Sequence, residues 1–283
     1  MESLQRTTVA GLVLATCLAS VAIAENRKEY RFNVGPQANV SVDTQYGSIS
    51  VKPGSANLVL ITATTRSDKV VVDSLQHGNR VEVGSRLRPG ADPQSGRVDY
   101  ELSVPPDAAV HLRSSTGPIT ADGLQGDVTL EGANAQVEAR NQSRGHLVIQ
   151  TMRGPITLNN VHNGHVEITS ISGDIHLNSV TAQLVKVEST SGKIFYSGDF
   201  GLGGDYKFST HTGDIEALVP ANASAEFSAQ SLKGQVQNDF PLQPKQHSHV
   251  SLDATRAFFG TAGKAASGVV MRSFSGKIRL KLR

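Results

Sequence analysis

Asp174 and Asp214 each stand one residue after a glycine in a recurring segment, with Lys193 at the equivalent place between them. A pair of carboxylates on one outer face is what a polysaccharide lyase or hydrolase uses as general acid and base, at separations of about 5 to 9.5 Å. If the recurring segments stack as strands, two steps put the pair about 10 Å apart, and Lys193 weakens their coupling. A surface charge ladder explains the triplet better, so no catalytic residue is assigned. The histidines raise a second possibility, a metal site, at His162-Asn163-Gly164-His165 with His176, or at His247-Ser248-His249. Their spacing is not that of a metal-ligand motif, there is no His-Glu-x-x-His, and the only cysteine is Cys17, so no metal is assigned. Residues 197–205 resemble a Gly/Asp calcium turn but occur once, whereas such sites rest on serial nonapeptides; a flexible extension of the repeat is the better reading. G-x-S-x-G, P-loop and dinucleotide patterns are absent, and no cofactor is expected.

Composition limits the remaining classes. The 283 residues carry 27 basic and 25 acidic side chains, a net charge of +2 that gives no footprint for nucleic acid. At 38% hydrophobic the chain can bury a core, but only 5% is aromatic and Trp is absent, which leaves few rings for stacking platforms. Residues 9–24 form an apolar run ending in Ala22-Ile23-Ala24 and followed by polar Glu25-Asn26-Arg27-Lys28, the pattern of a secretory signal peptide cleaved after Ala24. The run is shorter than the roughly 20 residues that span a bilayer, and Thr16 before Cys17 makes a poor lipoprotein box, so lipid anchoring at Cys17 is not expected. The expected location is periplasmic, cell-surface or secreted.

What must position any site is a repeat. Gly47, Gly117, Gly154, Gly173, Gly192, Gly213, Gly234 and Gly276 are each followed two residues later by an aliphatic side chain. The middle spacings are 19, 19, 21 and 21 residues, and Ala135 in Ala135-Gln136-Val137 supplies a unit in which glycine is missing. Apolar residues recur seven and five positions before the glycine and two and four after it, as in Val166, Ile168, Ile175 and Leu177. Alternation at period two is a strand signal, and the change of parity across the glycine requires a corner, which glycine permits through positive φ. Such units bury their apolar face only by stacking. The predicted fold is therefore all-β: a single-stranded parallel β-solenoid of about nine rungs of 18–21 residues, right-handed by the crossover preference.

Three positions before the glycine stand Thr44, Ser114, Thr151, Ser170, Ser189, Thr210, Ser231 and Ser273, inward hydroxyls that satisfy backbone groups at the corner rather than nucleophiles. Asn159 and Asn178 are placed to stack as an amide pair, and Glu167 beside Lys186. The long interval after Gly47 reads as antiparallel strands capping the N-terminal end. Lys277, Arg279, Lys281 and Arg283 read as a charged edge strand that resists aggregation. The chain divides into a signal peptide (1–24), a first rung plus antiparallel β cap (25–108) and the solenoid (109–283), with an irregular insertion near 239–267. In that insertion Phe258 and Phe259 either cover the coil flank or contact a partner.

The exported leader, Val98-Asp99-Tyr100-Glu101-Leu102-Ser103-Val104-Pro105 and the serial Ser-x-Ser-Gly-x-Ile units resemble the bacterial putative-adhesin family, a domain of unknown biochemical function. That resemblance implies a β-solenoid-like fold over most of the mature chain and offers no catalytic or ligand residues. The expectation is a non-enzymatic adhesin or envelope structural protein whose partner is a cell-envelope or extracellular protein or glycan. The alternatives are a polysaccharide-active β-helix enzyme and a periplasmic partner of a signalling or assembly system.

Overall fold

The computed structural model describes residues 25–162, 164–244 and 255–283, so the leader with Cys17, Asn163 and the His247-Ser248-His249 cluster lie outside the described residues. The described residues are all β apart from one 3-10 turn at Pro93–Gly96. Its strands form two large, mostly parallel sheets, of 12 and 13 strands. The strand before each glycine lies in one sheet, here the upstream sheet, and the strand after it lies in the other, the downstream sheet. Every second side chain is buried over Leu147, Ile149 and Thr151 before the corner and over Ile156 and Leu158 after it. Ile156 pairs with Ile175, and Ile175 with Ile194, so like residues meet in adjacent layers. Each fully buried aliphatic side chain in such a column contributes about 1.5–3 kcal/mol, and these columns form one continuous core.

The order of layers departs from the order of the chain at both ends. Ser267–Ser273 and Ile278–Leu282 insert between the layer of Asp205–Thr210 with Ile215–Val219 and the layer of Ala225–Ser231 with Val236–Asn238. The final strand is therefore not an edge. Arg279 lies 3.8 Å from Asp214 and 3.6 Å from Glu216, and Lys281 lies 3.1 Å from Glu216, so its charges pair with the neighbouring layer. At the other end, Arg80–Leu87 and Val98–Val104 pair in parallel with Asn39–Tyr46 and Ile49–Pro53. Within the long interval Leu58–Thr65 and Val70–His77 add only antiparallel pairings, with Asn26–Asn33 from before Gly47 pairing antiparallel with Leu58–Thr65, while Arg80–Leu87 and Val98–Val104 form a further layer outside the first.

In four layers a second bend comes four residues after the first residue of the downstream strand. Gly123, Asn141, Asn160 and Ser179, each six residues after the corner position, all have positive φ. Asn and Gly tolerate this conformation best, and an amide ladder fastens the bend: Asn160 donates to Asn141, and Asn141 to Asp122, each at 2.8 Å. The expected pair also forms, Asn178 donating to Asn159 at 3.0 Å.

Candidate functional site: an outer groove along the corner

The corner glycines stack directly over one another, and the geometry splits them into two classes. Gly47, Gly117, Gly154 and Gly173 have positive φ. There the upstream strand runs to the residue before the glycine, as in His165–Ser172. Gly192, Gly213, Gly234 and Gly276 do not have positive φ, so the freedom expected of glycine at the corner is not used in these four. Their upstream strands stop three residues short, at Ser189, Thr210, Ser231 and Ser273. In each, the glycine N–H donates to that hydroxyl, at 2.9, 3.1, 3.0 and 2.8 Å. Glycine is required in both classes because a Cβ would collide with the backbone carbonyl of the layer beneath, Gly154 under Gly173 and Gly192 under Gly213. In the unit without a glycine, Gly132 replaces the hydroxyl residue, and a Cβ there would stand 2.8 Å from the Ala135 methyl. The two residues have exchanged volumes.

Outside the corner runs a groove. Its floor is the buried hydroxyl row, including Ser170, Ser189, Thr210 and Ser273. One wall is the column four residues before the glycine: Thr169, Glu188, Ser209, Arg272 and Gln230 in layer order. The other wall is the column two residues before it, with Thr190, His211, Phe274 and Leu232. This part has a volume of about 610 Å³. A second stretch of about 310 Å³, sharing Thr169, continues the groove past Ile171, Met152 and Ala133 toward Arg113. Met152, Ile171 and Leu232 are 55%, 51% and 56% exposed, an uncommon display of large apolar side chains in one column.

Charge is unevenly distributed along it. At the Met152 end Glu131 contacts Arg113 at 3.8 Å and His111 at 3.0 Å. In the middle Glu188 is paired with Lys186 at 3.2 Å. Among the described residues the Arg272 side chain has no ion-pair or hydrogen-bond partner. Close by, His211 stacks on Phe274 at 4.6 Å, and the Lys233 ammonium stands 4.8 Å from the ring centroid. The groove therefore runs from an apolar, charge-paired end to a cationic one.

The residues singled out from sequence have other tasks. Asp174 and Asp214 accept the backbone N–H of Lys193 and Lys277, at 3.0 and 2.8 Å, so each carboxylate caps the next layer. Asp99 does the same for Ser48, accepting its N–H at 2.8 Å. Burial opposes the charge on Asp99, but hydrogen bonds from Arg97 and Ser48 outweigh it and hold the carboxyl below the usual range. His162 is engaged by Thr181 and Asn160, both at 2.6 Å, and among the described residues no three potential metal ligands gather. Phe258 packs against the core, on a strand, Ala257–Ala262, paired antiparallel with Ala225–Ser231; Phe259 lies opposite Ser228. Phe258 therefore covers the coil flank.

Residues 197–205 are pinned rather than flexible. Phe200 is buried, its ring stacked 4.8 Å from Tyr196 and edge-on 4.9 Å from Tyr206. Tyr196 Oη donates to the Val180 and Asp199 carbonyls, at 2.9 and 2.6 Å, and Tyr206 Oη to the Phe200 carbonyl. Burial raises both phenols, that of Tyr206 to about 12, so they remain neutral donors. The inward columns that mark the repeat do not reveal the outer groove; its signal in the sequence is the column two residues before the corner glycine, where Met152, Ile171, Phe274 and Leu232 all stand.

No helix among the described residues is long and apolar enough to cross a membrane. The chain matches no curated protein. Among solved structures, a putative adhesin from Bacteroides fragilis aligns over 91% of this chain and 98% of its own at 8% identity and a TM-score of 0.38. A putative cell adhesion protein from Clostridium sporogenes aligns over 91% and 100% at 11% identity and 0.29. A putative lipid binding protein from Parabacteroides distasonis aligns over 90% and 96% at 10% identity and 0.31. The family comparison is decisive, for the Toastrack DUF4097 model matches residues 37–281, and with the serial glycine corners accounted for in two parallel sheets, this chain belongs to that family.

Proposed function

We propose that the protein is an exported, non-enzymatic β-solenoid of glycine-marked rungs that acts as an adhesin or envelope-interaction protein and holds its partner in the outer groove. The observation that carries this reading is the alignment of exposed Met152, Ile171 and Leu232 along a continuous trough crossing many layers. A rigid scaffold with an exposed apolar stripe binds by area. The leader read at residues 1–24 supports export, and the use of Asp174 and Asp214 as backbone caps supports a structural rather than catalytic role. Saturable capture of cell-envelope material by residues 25–283, lost in the Met152→Ser/Ile171→Ser double variant, is the expected result. Capture unchanged by that variant overturns the groove assignment. Turnover of uronic-acid or neutral glycans, abolished by Asp174→Asn or Asp214→Asn, would establish the polysaccharide-active alternative instead.

A further inference from the structure

We infer that the groove takes a single-chain anionic amphiphile lying lengthwise, its carboxylate or phosphate head at Arg272 and its hydrocarbon tail on Ile171 and Met152; this rests on the groove being the binding surface. Three observations carry it. The Arg272 guanidinium is exposed and unpaired, beside Ser209 on its own wall, and the Lys233 ammonium is held nearby over Phe274. A guanidinium with free donors matches carboxylate and phosphate oxygens in a bidentate fork. The opposite direction supplies apolar contact, since the column passes through Thr190 to Ile171 and Met152. From the Arg272 layer to the Met152 layer is four steps, roughly 19 Å at the spacing of paired strands. An aliphatic chain also suits this wall better than a peptide strand does. Like-facing side chains of a strand recur every two residues, about 6.6–6.8 Å apart, out of step with the layers, whereas a polymethylene chain has no side-chain period. Finally, the two rings on this wall, His211 and Phe274, are stacked on one another at 4.6 Å and the Lys233 ammonium stands 4.8 Å from the Phe274 centroid, so the wall offers a poor stacking platform for a sugar.

The test is calorimetric titration of residues 25–283 with dodecanoate and dodecyl phosphate below their micelle concentrations, with dodecyl maltoside, inorganic phosphate and mixed phosphatidylglycerol–phosphatidylcholine vesicles as further arms. Saturable binding of one dodecanoate or dodecyl phosphate per chain is expected, weakened about tenfold or more by Arg272→Gln and by Ile171→Ser. Both positions are exposed, and an unchanged far-ultraviolet spectrum and melting temperature establish that the variants fold. Equal binding of dodecyl maltoside, binding of vesicles alone, or binding of anionic amphiphiles unaffected by both substitutions would overturn the inference. If the amphiphiles fail to bind while envelope capture still depends on Met152 and Ile171, the occupant is wrong and the groove stands. If neither depends on the groove, both readings fall.

Discussion

The first and last corners of the stack change direction by different means. Around Gly173 the upstream strand holds its ladder to the last residue, and the glycine absorbs the turn through a positive φ. Around Gly213 the strand ends at Thr210, and the Gly213 N–H donates to the Thr210 hydroxyl at 3.1 Å across the turn instead. Both share the carbonyl contact that forbids a Cβ. Glycine thus answers a packing demand at every such corner and a conformational demand at only half of them. The groove is larger where the hydroxyl-capped corners lie, about 610 Å³ against about 310 Å³ along the earlier corners, although His211 and Phe274 still donate their backbone N–H groups to the neighbouring layer.

The strongest way to break this distinction is to add the same methyl to both corners. Gly173→Ala incurs backbone strain of about 1–3 kcal/mol in addition to overpacking of about 1–3 kcal/mol. Gly213→Ala incurs only the overpacking. Urea unfolding of residues 25–283 measures both, and Gly173→Ala is expected to be the more destabilising; equal losses would show that φ contributes nothing.

The Ala135 unit sharpens the packing half of the argument. Gly132→Ser places a Cβ against the Ala135 methyl and is expected to cost about 1–3 kcal/mol. Adding Ala135→Gly restores the usual arrangement of hydroxyl and glycine, so the double variant is expected to recover most of the loss. That result is a non-additive coupling that neighbouring residues produce and distant ones do not. Losses that simply add would mean that the two positions do not share one volume.

Removing hydroxyls tests the other half. Thr210→Val leaves the Gly213 N–H buried without its acceptor, a cost of about 1–3 kcal/mol. Thr151 bonds only the Ser170 hydroxyl, at 3.1 Å, and caps no corner amide. Thr151→Val is therefore expected to cost less than Thr210→Val by thermal unfolding. The reverse order would remove the hydroxyl-capped class.

Much of this was readable in advance and some was not, for physical reasons. The facing of Ile156, Ile175 and Ile194 follows from a two-residue period broken by glycine, which admits only one face to the core. The order of the last layers does not, because Ile278 and Val236 carry the same pattern and either could have stacked on Ile215. The outermost N-terminal layer escaped notice because Val98 occupies the corner position, so its strand lacks the marker while keeping the register Ile49–Tyr100. The two corner classes are equally hidden, since Ser170 and Ser189 both precede a glycine by three residues and only the backbone decides which hydroxyl becomes a cap.

The smallest expected effect concerns how the ends are held, and it depends on pH. Asp99 in the outermost layer caps Ser48 and is held by Arg97, with its folded-state carboxyl lowered. A lowered folded pKa means that the unfolded chain binds more protons in the acid range. The stabilisation is therefore fully present above the ordinary carboxylate pKa and lost as pH falls through the folded value. Asp99→Asn keeps an acceptor for the Ser48 N–H but has no charge to titrate. Unfolding free energies measured from pH 6 downward should thus fall less steeply for Asp99→Asn than for the native chain, the two converging at the acid end. Parallel curves would mean that the ion pair with Arg97, which is half-exposed, contributes nothing to holding this end. Since Asn26–Asn33 and Leu58–Thr65 already cover that layer in the downstream sheet, the carboxylate tunes the end rather than securing it.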